Sequence, residues 1–122
     1  MPKKMAMAES IIHPIEIKEL LWINPSPGAV MTTTTISLSL SGYKFIELWY
    51  QENGYTNYKT VILPIGIDTY IFGAAGTTNA RQVITTTSSI KFMTGITYGA
   101  YGGNSASNNG GIIIPYRIYG IK

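Results

Sequence analysis

Apolar and polar residues alternate with a period of two along most of this chain, and that alternation constrains the fold more than any other feature. Residues 32–41 read TTTTISLSLS. Ile36, Leu38 and Leu40 fall on one side of an extended backbone, with Thr35, Ser37, Ser39 and Ser41 on the other. This is the pattern of a half-buried antiparallel strand with a hydroxylated outer face. Gly42 ends the run.

The same period recurs downstream. In residues 43–51, YKFIELWYQ, one face holds Ile46, Leu48 and Tyr50 and the other holds Phe45, Glu47, Trp49 and Gln51. Aromatics on both faces predict a central strand whose second face is partly covered. Glu52-Asn53-Gly54 follows, and Asn-Gly favours a hairpin. Residues 58–65 predict the next strand, with Val61 and Leu63 opposed to Ile62. Pro64 belongs at its end or on a sheet edge, because proline cannot donate to a ladder. Residues 68–72 form a further short run, and Gly73-Ala74-Ala75-Gly76 reads as a loop. Residues 81–87 and 89–94 read as a hairpin pair, and Ile96 and Tyr98 start another strand. Residues 99–111, GAYGGNSASNNGG, read as one long loop. Residues 112–122 close the chain as a strand, with Pro115 at an edge or a bulge.

These eight or nine runs, without a helical period, predict an all-β fold. An antiparallel β-sandwich is expected, of which a jelly roll is one form. The length of 122 residues fits one domain, since domains commonly hold about 100–150 residues. The first twenty residues differ in character and predict an extended N-terminal arm ahead of a domain over 21–122. Ile11, Ile12, Ile15 and Ile17, around His13-Pro14, are the candidate docking residues of that arm.

Composition narrows the function. Charged residues make up 12% of the chain, against about 25% in an average domain. So little charge favours surface that is buried against other copies or partners. The net charge is +3, but Lys18, Lys44, Lys59, Arg81, Lys91, Arg117 and Lys122 are scattered, and only Lys3 and Lys4 are adjacent. Nucleic-acid binding needs a basic stripe, so none is expected. No apolar run has the length of a signal peptide or a membrane span, so a protein made in the cytoplasm, without membrane insertion, is expected.

The residues for catalysis are scarce. There is one histidine, His13, and no cysteine. That leaves no catalytic triad inside the domain and no zinc site, and neither metal nor cofactor is expected. Glu47 and Asp68 are the remaining carboxylate pair to weigh for glycoside hydrolysis; solvated or ion-paired side chains are the plainer reading. The glycine clusters at 73–76 and 99–103 lack the Lys-Ser/Thr of a phosphate loop. Tyrosine is abundant, at nine residues. Tyr55, Tyr58, Tyr98 and Tyr101, with Asn104, Asn108 and Asn109, form a candidate glycan or receptor contact, since loop tyrosines beside amides stack on and hydrogen-bond sugars. Their plainer role is to cover the ends of the sandwich or a subunit contact.

Two segments carry a family resemblance. Leu21-Trp22-Ile23-Asn24-Pro25-Ser26-Pro27 leads into Thr35-Ile36-Ser37-Leu38-Ser39-Leu40-Ser41-Gly42-Tyr43, and the chain ends Ile114-Pro115-Tyr116-Arg117-Ile118-Tyr119-Gly120-Ile121-Lys122. Ile90-Lys91-Phe92 and Ile96-Thr97-Tyr98-Gly99 lie between them. This order resembles small structural proteins, and C-terminal domains of tail, baseplate or fibre proteins, from tailed phages and prophages of Gram-positive and gut bacteria. The resemblance spans 21–122, and its motifs are short and structural. It implies a virion component, a homo-oligomer with a trimer favoured, contacts with other virion proteins through the arm, and no catalytic residues. Recognition of a host-surface glycan is the second role it leaves open.

Overall fold

The computed structural model describes residues 17–52, 58–74, 78–98 and 106–122. Among them are ten strands and no helix. One antiparallel sheet has the order β1 (Lys18–Ile23), β10 (Ile114–Ile121), β3 (Phe45–Gln51), β4 (Tyr58–Pro64). The second runs β2 (Thr34–Ser37), β7 (Ser89–Phe92), β6 (Thr78–Thr85), β8 (Ile96–Tyr98), β9 (Ala106–Asn108), and β5 (Asp68–Ala74) also pairs with β6. The two sheets pack face to face as a β-sandwich.

The alternation decides which side chains enter the core. Ile46, Leu48 and Tyr50 of β3, Leu63 of β4 and Ile118 of β10 meet Ile71 of β5, Val83 of β6, and Ile90 and Phe92 of β7. Leu40, Ile112 and Ile113 close the core from the connections. β3 lies between β10 and β4, as its two aromatic-bearing faces predict. Pro64 is the last residue of β4, and β4 is an edge strand, so it meets both expectations. Pro115 sits at a bulge, where the register with β3 shifts between Pro115 and Arg117. β10 itself is a central strand.

Residues 32–41 keep their alternation beyond the end of β2. Leu38 N donates to Ser88 O at 3.1 Å and Leu40 N to Thr87 O at 2.8 Å, while Gly42 turns the chain at φ 89°.

Three boundaries differ from the sequence expectation. β5 runs through Gly73 and Ala74, which the sequence assigns to a loop. Gly73 suits the strand because the Glu52 carboxylate lies where its Cβ would be. Within residues 99–111, β9 forms by pairing with β8, Ile96 opposite Asn108. Strand propensity is low there, and the neighbouring strand supplies the ladder. At the start, Lys18, Glu19 and Leu20 pair with Ile121, Gly120 and Tyr119, so the sheet reaches into residues assigned to the arm. Ile17 O accepts from Lys122 N at 3.1 Å. Ile11, Ile12 and Ile15 lie outside the described residues.

Candidate functional site

β6 changes partner along its length. Thr78–Ile84 pair with β5 on one edge. On the other edge Val83–Thr85 pair with β7 and Thr78–Ala80 pair with β8. The strand register therefore breaks on that edge at Arg81 and Gln82, although Gln82 O still accepts from Met93 N at 2.9 Å. Successive strand residues face opposite sides. Arg81 accordingly turns inward with Asn79 and Val83, and Gln82 turns outward with Ala80.

Arg81 closes this break from inside. It is 1% exposed. Nη1 donates to Met31 O at 3.0 Å and Met93 O at 2.8 Å. Nη2 donates to Gly110 O at 3.2 Å and Ile112 O at 2.8 Å, and Nε donates to Ile112 O at 3.2 Å. A guanidinium has five N–H donors, and these five bonds match them. Burial pushes the Arg81 pKa down to about 10, so the group stays a cation near neutrality. It ties three separate connections to one point of β6.

Above this junction, on the outer face, lies a cleft of about 290 Å³ lined by Thr33, Tyr70, Ala80, Gln82, Met93, Thr94, Ile96 and Asn108. No ionised side chain is among them. The Thr33 and Thr94 hydroxyls lie 3.1 Å apart, and each accepts the other residue's backbone N–H, at 3.2 and 3.0 Å. Gln82 Nε2 donates a long bond of 3.4 Å to Asp68 Oδ2. Tyr70 and Phe72 are two residues apart on the outer side of β5, 53% and 65% exposed, with ring centroids 6.1 Å apart.

The outer face of the four-stranded sheet is different. Tyr58 stacks on Tyr116 at 4.4 Å, and the Arg117 guanidinium lies 4.9 Å from the Tyr116 ring and 5.9 Å from Trp49. Trp49 packs against Tyr119 at 6.0 Å, and Lys18 Nζ lies 5.2 Å from the Tyr119 ring. Glu47 Oε1 accepts from Trp49 Nε1 at 2.7 Å and from Lys18 Nζ at 3.1 Å. Burial pushes the Glu47 pKa up, but these two donors outweigh it and hold the carboxyl below its usual value. The bulge at Tyr116 lets two consecutive residues, Tyr116 and Arg117, contribute to this row. Around it Leu20, Ile23, Phe45 and Ile62 are 48%, 48%, 42% and 53% exposed.

The residues singled out from the sequence separate onto different surfaces. Tyr58 belongs to the aromatic row of the four-stranded sheet. Tyr98 and Asn108 lie on β8 and β9 of the other sheet, and Asn108 lines the cleft. Asn109 is structural: Nδ2 donates to Thr97 Oγ1 at 3.0 Å and Oδ1 accepts from Gly111 N at 3.0 Å. Tyr55, Tyr101 and Asn104 lie outside the described residues. Glu47 and Asp68 stand on different sheets with the core between them, too far apart to act as one pair. Tyr70, Phe72 and Gln82 were not singled out from sequence. The available signal was strand parity, since Tyr70 and Phe72 flank the inward Ile71.

No group of three or more potential metal ligands occurs among the described residues. No family model matches the chain, and neither a curated protein nor a solved structure matches it.

Proposed function

We propose that this chain is a non-catalytic structural protein of a tailed-phage particle, tail-, baseplate- or fibre-associated, that works as a homo-oligomer. The observation that carries the assembly reading is the outer face of the four-stranded sheet. Leu20, Ile23, Phe45 and Ile62 lie exposed around the Trp49–Tyr116–Tyr119 row. Large exposed apolar side chains gathered on one sheet face mark an interaction site. The occupant is a second copy of the chain. Lys18, Glu47 and Arg117 place both charge signs on one face, and such a face can meet its own copy without net repulsion.

The particle reading rests on the resemblance of 21–27 and 114–122 to phage structural proteins. These two segments pair with each other. Asn24 N donates to Tyr116 O at 2.8 Å and Asn24 Nδ2 to Pro115 O at 2.8 Å. The residues ahead of β1 are the proposed anchor to other virion proteins.

Light scattering tests the assembly reading. The expected mass is a multiple of the monomer, reduced to one copy by Leu20→Lys combined with Ile62→Glu at unchanged melting temperature. A monomeric wild type at high concentration refutes it. Mass spectrometry of purified particles tests the virion reading, which fails if the chain is absent from them.

A further inference from the structure

We propose that the cleft at the β7–β6–β8 junction is a binding site for a neutral saccharide, distinct from the self-association face and independent of the virion reading. Three properties of the cleft point to this class of ligand.

The first is its charge. Thr33, Thr94, Gln82, Asn108 and Tyr70 supply the polar groups, and no ionised side chain lines the space. A phosphate or carboxylate ligand would find no counter-charge there. A neutral ligand rich in hydroxyls meets amides and hydroxyls, each of which both donates and accepts.

The second is the supply of unused polar groups. Neither the Asn108 amide nor the Tyr70 hydroxyl has a hydrogen-bond partner among the described residues. Gln82 commits only its Nε2, over 3.4 Å. These groups converge on one space, as in small-molecule sites.

The third is the aromatic pair. The Tyr70 and Phe72 rings are inclined by 26° and share the outer side of β5. Exposed rings beside a polar cleft provide the flat apolar surface on which the C–H face of a sugar ring packs. A volume of about 290 Å³ lies at the small end of ligand pockets, which span about 300–1,000 Å³. It suits one or two sugar rings rather than a long chain. The site is held rigid from below because Arg81 bonds to Met93 O, next to the lining residue Thr94, and to Met31 O, two residues before Thr33.

Amide-resolved NMR titration of the full chain tests the proposal. The probes are glucose, galactose, N-acetylglucosamine and their β-linked disaccharides, with inorganic phosphate as the anionic control. Shifts are expected at the Gln82 and Asn108 side-chain amides and around Thr94 for at least one sugar, and none there with phosphate. Tyr70→Ala and Asn108→Ala are each expected to weaken binding by about tenfold, the scale of one lost stacking or hydrogen-bonding contact. Their melting temperatures should stay close to wild type, because both side chains are exposed. Ile62→Glu, on the opposite face, should bind like wild type, which separates this test from that of self-association. The proposal is overturned if no sugar shifts these amides, if phosphate shifts them equally, or if Tyr70→Ala binds undiminished.

Discussion

Arg81 and Ile112 are joined by two hydrogen bonds to one carbonyl oxygen, from Nε at 3.2 Å and Nη2 at 2.8 Å. The next residue, Ile113, has φ 48°, a left-handed conformation unusual for a β-branched side chain. Such backbone costs about 1–3 kcal/mol and persists where the surroundings over-determine it. Here the guanidinium holds the carbonyl on one side of Ile113, and β10 begins on the other.

Replacing Arg81 should therefore be among the most damaging single changes. Arg81→Met fills much of the volume but leaves the carbonyls of Met31, Met93 and Ile112 without the guanidinium donors, while Gly110 O keeps only its bond from Met31 N. An unsatisfied buried polar group costs about 1–3 kcal/mol, so a loss of at least ~3 kcal/mol is expected. Arg81→Lys should recover little, since three donors on one nitrogen cannot match the fork. Urea denaturation reads this directly, and a loss below ~1 kcal/mol would show that water replaces the guanidinium.

Gly120 is required by a close approach. A Cβ there would lie 2.6 Å from two atoms of the Tyr43 ring. Gly120→Ala should cost about 1–3 kcal/mol by overpacking. Combining it with Tyr43→Ala should cost less than the sum of the two single changes, because the clash is gone. Additive melting-temperature losses would contradict this account.

Thr85 joins the turn between the sheets to β6. Its Oγ1 donates to Pro64 O at 3.1 Å and accepts from Gly66 N at 2.8 Å, and the residue is buried. Thr85→Val keeps the shape and strands both partners, so a loss of about 1–3 kcal/mol is expected in chemical denaturation. Thr85→Ser, which keeps the hydroxyl, should retain more of the stability than Thr85→Val.

Acid should weaken the β1–β10 edge of the four-stranded sheet. Hydrogen bonds from Lys122 and then Tyr43 lower the Glu19 pKa, and Glu47 is lowered as described above. A carboxyl depressed in the folded state binds protons more readily when unfolded. Its contribution is complete above the unfolded value, about 4.3 for glutamate, and is lost as pH falls through the lower folded value. Melting temperature should drop across that window, and Glu19→Gln with Glu47→Gln should flatten the drop. An equal drop in the double variant would place the acid sensitivity elsewhere.

The inward faces were legible because strand parity is a local property. Ile36, Leu38 and Leu40, then Ile46, Leu48 and Tyr50, need only their own alternation to be assigned to the core. The two prolines were legible because each lacks the N–H that a ladder would require. The candidate site was not. Tyr58 and Tyr98 look equivalent as loop-flanking tyrosines, yet pairing sends one to each sheet. Arg81 reads as one of several scattered cations, although its parity with Val83 already points it inward.

What the sequence determined by itself is the strand character of the alternating runs and the side that their side chains take, because both follow from a two-residue repeat and from turn chemistry. The tertiary structure alone decided that β6 trades β7 for β8, that Ala106–Asn108 form a strand, and that Lys18–Leu20 join the sheet. Those outcomes depend on hydrogen bonds between residues far apart in the chain, which no local pattern encodes. The same non-local pairing buries Arg81 and opens the cleft above it.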